Sequence, residues 1–185
     1  GTPGTVGGGL AGNAHFGGRL LGDLVDTVRV ATIDGRVTDL RQDEMEFGYD
    51  RSRLQRTREV LLWASFRVGR GEPAKLREEA RASLAHRKRT QPLDVPSAGC
   101  IFQNPSEATN PSADLTAAGA LVDRAGQKGR RIGHARVSPT HANFIVNEGG
   151  ASARDIRALI DECRNAVKEQ FGIELQEEIV YLGEF

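Results

Sequence analysis

The segment from Ser152 to Gly172 constrains the fold of this chain more than any other stretch. Ile156, Leu159, Ile160, Cys163, Val167 and Phe171 recur at helical spacing, so the helix they predict has one apolar face that something must cover. Ser152 stands where an N-cap accepts a backbone N–H, and Asp155 three residues on makes a shorter-armed capping box. Gly172 closes the helix. A second helix is predicted from about Asp114 to Ala125, ended by Gly126. Strands are predicted at 100–103, near 132–137, at 143–147 and at 173–182, with a polar loop at 104–113. Strands interspersed with two helices make an α+β domain.

The preceding half is organised differently. Residues 1–22 are glycine-rich and read either as a backbone loop that approaches a phosphate closely or as a flexible tail. Leu10, Phe16, Leu20 and Leu21 are interspersed there, which a solvated linker does not need. Residues 28–33 alternate like a strand, Asp34-Gly35 is a hairpin signal, and 36–40 form the return strand. Residues 60–66 read as a buried strand, and Pro73 opens a helix running from Ala74 to about Lys88. The two prolines of 90–97 mark a linker, which places a domain boundary between 92 and 93.

Composition excludes several classes. The chain has 185 residues, 38% hydrophobic and 27% charged, so it can bury a core and is not a disordered chain. Its 25 basic and 25 acidic residues give a formal net charge of zero, which argues against a dedicated nucleic-acid binder. No apolar run has the length of a membrane helix. Cys100 and Cys163 are too few for a disulfide framework, which fits a reducing, cytoplasmic setting. His15, His86, His134 and His141 are scattered, so no metal site is expected, and neither a Walker A loop nor a GxSxG elbow is present. The chain opens on Gly1 rather than Met and reads as the remainder of a longer protein.

Three segments carry groups able to do chemistry. In Ser97–Pro105, Cys100 follows a glycine at a strand start, where a thiol donates or accepts a proton or simply fills a core. In the tail, Glu177 and Glu178 point to opposite faces of a strand, so one can face a cleft while the other faces water. Alternatively, both are solvated. Phe47–Gln55 sets an aromatic pair beside Arg51 and Arg53, either an arginine fork for a carboxylate or phosphate or a charged surface loop.

Together these segments resemble the UDP-N-acetylenolpyruvoylglucosamine reductase (MurB) family over essentially the whole chain, most strongly in its last 90 residues. The family's glycine loop appears as Pro3-Gly4-Thr5-Val6-Gly7-Gly8, and its Ser-Ala-Gly-Ser-x-Phe-Lys-Asn-Pro segment as Ser97-Ala98-Gly99-Cys100-Ile101-Phe102-Gln103-Asn104-Pro105. A further run appears as Ala125-Gly126-Gln127-Lys128-Gly129, Val137-Ser138 and His141 to Asn147. The closing pattern appears as Gly172-Ile173-Glu174-Leu175-Gln176-Glu177-Glu178-Ile179.

The resemblance implies the C-terminal part of an FAD-binding α+β domain of the PCMH type at 1–92, followed by an α+β substrate-binding domain at 93–185. It implies a UDP-N-acetylmuramate dehydrogenase of the shorter type, in which NADPH reduces FAD and a hydride passes to the enolpyruvyl group of a UDP-sugar in cell-wall precursor synthesis. The implied catalytic residues are Cys100, in place of the family's proton-donating serine, Glu178 and Arg51. The implied FAD contacts are Pro3, Gly4, Thr5, Val6, Gly7, Gly8 and Asn13. The implied substrate contacts are Tyr49, Asn104 and His141.

Three departures stand out. Tyr49 is followed by Asp50, so the arginine comes one place late, at Arg51. The family's Asn-Ala-Gly-Ala-Tyr-Gly is shortened to Asn13-Ala14-His15-Phe16-Gly17. The first half of the family's FAD domain is not in the sequence, so this chain alone is expected to hold flavin poorly. The competing readings are another FAD-dependent oxidoreductase and a non-catalytic nucleotide-sugar-binding module. Oligomeric state is not legible.

Overall fold

The computed structural model describes residues 4–106 and 117–184. The chain divides into two compact units, Gly1–Leu76 and Arg77–Phe185.

The first unit opens on a short helix, α1 (Val6–Ala11), where the sequence suggested a loop or tail. Thr5 starts it: its Oγ1 accepts the Gly8 N–H at 3.0 Å, and Leu10 is fully buried. A small hairpin follows, β1 (His15–Phe16) with β2 (Arg19–Leu20). The hairpin predicted at Asp34-Gly35 forms between β3 (Val25–Ala31) and β4 (Val37–Arg41). A single helical turn, α2 (Leu54–Thr57), leads to β5 (Val60–Phe66), and the sheet order is β4-β3-β5. Val28 and Val30 of β3 pack with Leu40, Met45, Leu54 and Leu10 in one core.

The expectation that 60–66 is buried is corrected. β5 is an edge strand with Val60, Leu62 and Trp63 exposed. A register shift puts Val30 opposite Leu61 and Arg29 opposite Trp63, so Leu62 is an extra residue and two successive side chains face outward. On that outer face Arg29 pairs bidentately with Asp39 at 2.6 and 2.7 Å and stacks over Trp63.

The helix predicted after Pro73 forms as α3 (Pro73–Thr90), with no buried residue. The second unit then builds β6 (Ser97–Cys100), α4 (Ala118–Arg124), β7 (Arg131–Ile132), β8 (Ala135–Val137), β9 (Phe144–Asn147) and α5 (Ala153–Phe171). Its sheet is antiparallel in the order β6-β9-β8-β7. α5 is the amphipathic helix predicted. Ser152 Oγ accepts the Asp155 N–H, the Asp155 carboxylate accepts the Ser152 N–H, and Gly172 ends it in the left-handed region. Leu159, Ile160, Cys163 and Val167 are buried with Val137, Ile145, Leu121 and Phe102.

Three boundaries differ from the sequence reading. The strand expected near 132–137 is a tight hairpin of β7 and β8, because Gly133 takes φ +54° and a side chain there would strike the Asp155 carboxylate. The strand expected at 100–103 is shifted back to 97–100. Residues 173–182 form no strand. A single bridge pairs Glu177 with Phe102, although Ile173 and Leu175 do alternate inward. The predicted start of α4 at Asp114 and most of the 104–113 loop lie outside the described residues.

Candidate functional site

In the second unit the groups gather around residues 97–104. β6 pairs with β9 at Ser97–Val146 and at Cys100–Phe144, with a register shift between them. Gly99 sits inside that irregularity at φ +91°, a conformation suited to glycine. Bulges re-aim the side chain that follows, and the residue that follows is Cys100, half-buried at the strand's end. Beyond it the backbone is bracketed. Asn143, 4% exposed, donates from Nδ2 to the Phe102 carbonyl at 2.8 Å and accepts the Phe102 N–H on Oδ1 at 2.9 Å. The Ile101 N–H donates to the Asn143 carbonyl.

The C-terminal tail reaches the same segment. Glu178 donates its backbone N–H to the Ile101 carbonyl at 2.8 Å, and Gln103 donates to the Gln176 carbonyl at 2.9 Å. These bonds flank the Phe102–Glu177 bridge and seat Glu178 beside the residue next to Cys100. Glu177 ion-pairs with Arg164 of α5, and Lys168 pairs with Glu174 at 3.0 Å, so the tail is tied to the helix. Glu177 is half-buried and Glu178 exposed, the opposition expected from the alternation.

Asn104 and His141 adjoin α4. Asn104 Oδ1 accepts the Ala118 N–H at 3.0 Å and so caps that helix. His141 is largely buried, edge-on to Phe144, and close to where a Cβ on Gly119 would lie. Burial, assisted by the charge of Lys128, holds its pKa below the usual histidine value. It is therefore neutral at pH 7, and Nδ1 accepting the Asn143 N–H at 3.3 Å leaves the proton on Nε2.

The first unit gathers the other group. Gly48 and Arg51 exchange backbone bonds at 3.1 and 3.4 Å, with Tyr49 and Asp50 at the corners of the turn and Asp50 at φ +52°. The segment after α1 holds this turn. Asn13 Nδ2 donates to the Gly48 carbonyl at 2.8 Å, Ser52 Oγ donates to the Ala11 carbonyl at 2.8 Å, and Asn13 Oδ1 accepts the Gly22 N–H at 2.7 Å. Asn13 is fully buried with both ends of its amide engaged by the protein's own backbone. Gly22 has no room for a side chain, since a Cβ would lie 2.6 Å from the Phe47 ring and 2.8 Å from Asn13 Oδ1. Gly22→Ala is expected to destabilise the protein by about 1–3 kcal/mol, read as a lower urea midpoint.

Arg51 lines an open pocket of about 500 Å³ with Glu46, Ser52, Gln55 and Arg56. Arg56 is paired with Glu46, and Arg53 is paired bidentately with Glu59 at 2.9 Å. Arg51 lies back over Gly48, with no carboxylate in ion-pair range among the described residues. Pro3 lies outside the described residues. Gly4 and Thr5 lead into α1, and Val6 to Gly8 form its first turn, in which the Gly8 N–H donates to Thr5 Oγ1.

The family model for UDP-N-acetylenolpyruvoylglucosamine reductase, C-terminal domain, matches residues 91–182. The UDP-N-acetylenolpyruvoylglucosamine reductase of Heliobacterium modesticaldum is 40% identical over 184 residues, 100% of this chain and 56% of that protein. The protein of the same name from Parasynechococcus marenigrum is 40% identical over 185 residues, 99% of this chain and 59% of its own length. The crystal structure of UDP-N-acetylenolpyruvylglucosamine reductase (MurB) from Thermus caldophilus superposes with a TM-score of 0.78 at 31% identity, over 94% of this chain and 58% of that one.

The chain belongs to the UDP-N-acetylenolpyruvoylglucosamine reductase family. It spans little more than half the length of these relatives. The α+β fold expected from the sequence is the fold found. No helix among the described residues is long and apolar enough to cross a membrane, and no group of His, Cys, Asp and Glu there could hold a metal ion.

The reductase motif around Cys100 was legible as a run of residues. Asn143 lies within the run from His141 to Asn147, but nothing local signals its role, because its bonds to Phe102 span 41 positions. The two thiols differ as their surroundings dictate. Cys163 is 1% exposed, and burial beside Glu162 pushes its thiol up to about 12, so it is an inert core group. Of the two cysteines, only Cys100 is expected to take up a thiol reagent in the native protein, with Cys163 reacting after unfolding. Mass spectrometry of the labelled peptides checks this.

Proposed function

We propose that this chain carries the substrate-handling groups of a UDP-N-acetylmuramate dehydrogenase, which reduces the enolpyruvyl ether of a UDP-sugar. The seating of the Glu178 backbone against Ile101, beside Cys100, carries the reading most directly, because it gathers a thiol and a carboxylate from distant parts of the chain.

FAD and NADPH are the cofactors this reading requires, in a cytoplasmic enzyme. The residues of the first unit fit a dinucleotide: a glycine-rich turn leads into α1, the first-turn N–H groups of Val6 and Gly7 have no partner within the helix, and Gly4 has no neighbour within 4 Å of where a Cβ would lie. Gly4, Thr5, Val6, Gly7 and Gly8 would hold it by backbone, with Pro3 preceding them. Asn13, expected among the FAD contacts, has both ends of its amide engaged by Gly48 and Gly22. When bound and reduced, FAD supplies the hydride.

Every other task falls to side chains. Hydride addition to one carbon of the enol ether leaves negative charge on its neighbour and the attached carboxylate. Arg51 is the cation assigned to that carboxylate, with Tyr49 beside it. The Cys100 thiol gives its proton to the neighbouring carbon and is left as a thiolate, which recovers a proton from solvent. A thiol is a stronger acid than the serine hydroxyl of the family. Glu178 assists in stabilising or protonating the same centre. His141 offers Nε2–H as a neutral donor to the nucleotide sugar, and Asn104 presents its remaining amide group from the start of α4.

Calorimetric titration with UDP-N-acetylglucosamine enolpyruvate tests the reading. Saturable binding is expected, and no binding by a folded chain would contradict it.

A further inference from the structure

Two of the three departures from the family pattern meet in space. The shortened segment after α1 contributes His15, and the turn whose arginine comes one place late contributes Asp50. His15 Nδ1 lies 3.2 Å from Asp50 Oδ1, and the Tyr49 ring lies against the His15 ring with centroids 4.8 Å apart. The Asp50 side chain is only 9% exposed, and its second oxygen has no hydrogen-bond partner. Burial pushes the Asp50 carboxyl up, and His15 is the partner that opposes that shift.

The turn explains what the pair achieves. Asp50 is adjacent in sequence to Arg51, and a free carboxylate there would neutralise the guanidinium. Turned inward onto His15, Asp50 is kept from it, while Arg51 lies back over Gly48 and lines the pocket with Ser52 and Gln55. Asn13 on Gly48 and Ser52 on Ala11 fix the same turn on either side of the pair.

We propose that the His15–Asp50 pair is a positioning device: it sequesters the acid standing where the family has its arginine and leaves Arg51 free to take an anionic oxygen group of the ligand. The inference rests on the reductase reading above. His15 acts through Asp50 and does not itself touch the ligand.

The test follows the Arg51 Nε–H signal by NMR while the 185-residue chain is titrated with UDP-N-acetylglucosamine enolpyruvate, and separately with UDP-N-acetylglucosamine. A saturable shift of that signal is expected. A shift with both ligands assigns the diphosphate to Arg51, and a shift with the enolpyruvyl ligand alone assigns the carboxylate. His15→Ala should raise the midpoint at least about tenfold, while His15→Asn, which keeps an N–H near the Nδ1 position, should stay within about threefold. Adding Asp50→Ala to His15→Ala should recover most of the affinity, because the neutralising acid is then gone. A merely structural role would make that double variant worse.

An unchanged midpoint in His15→Ala, or a double variant no better than the single one, would overturn the proposal while leaving the reductase reading intact. So would ligand-induced shifts around Cys100 and Glu178 with none at Arg51. No shift anywhere in the folded chain would remove both.

Discussion

Cys100→Ala is expected to lower turnover by about 10²–10⁴-fold, the range that a positioned general acid contributes. The assay needs a chain extended by the portion of the relatives that these 185 residues do not span. The loss should fall on kcat, with the affinity for the UDP-sugar little changed, because in the proposed step the thiol gives up its proton only after the hydride is added. Cys100→Ser should retain most activity, since it restores the hydroxyl of the family motif in the same re-aimed position after Gly99. Full turnover in the alanine variant would show that the proton comes from elsewhere.

The second large effect is one of stability. Asn143→Ala removes two hydrogen bonds to the buried Phe102 and leaves its N–H and carbonyl without those partners. Each unsatisfied buried group costs about 1–3 kcal/mol, so a loss of about 2–6 kcal/mol is expected. That is a large part of the stability of a typical domain. Asn143→Asp should not rescue it, because a carboxylate oxygen would then face the Phe102 carbonyl. Urea unfolding monitors the loss. A faster reaction of Cys100 with a thiol reagent should accompany it, as the 97–104 segment loses its bracket. A cost under about 0.5 kcal/mol would mean that Asn143 does not fix this segment.

What the sequence revealed divides along the range of the interactions. α5 was legible in full because its cap, its apolar face and its terminating glycine are all local, and the β3–β4 hairpin was legible for the same reason. The exposure of β5 was not, because it depends on an extra residue, Leu62, set only by pairing with β3. α1 was hidden by its glycines, although Thr5 was the cap that marked it. The tail showed its alternation but not that it would form a single bridge rather than a strand.

The site follows the same rule. Cys100, Glu178, Asn104 and His141 could be named from motifs in order along the chain. That Asn104 caps α4, and that Asn13 is consumed by the backbone beneath the turn, depends on contacts the sequence order does not display. His15 and Asp50 each looked like a separate departure. Only the fold joins them.

We propose that Cys100 and Glu178 serve the reduction of an enolpyruvyl UDP-sugar. The most direct test follows NADPH oxidation by the extended chain, supplied with FAD, on addition of UDP-N-acetylglucosamine enolpyruvate, with the product identified by mass spectrometry. One NADPH is expected to be consumed for each UDP-N-acetylmuramate formed. Tight binding of the UDP-sugar and FAD with no substrate-dependent NADPH oxidation would contradict it and leave a nucleotide-sugar-binding module in its place.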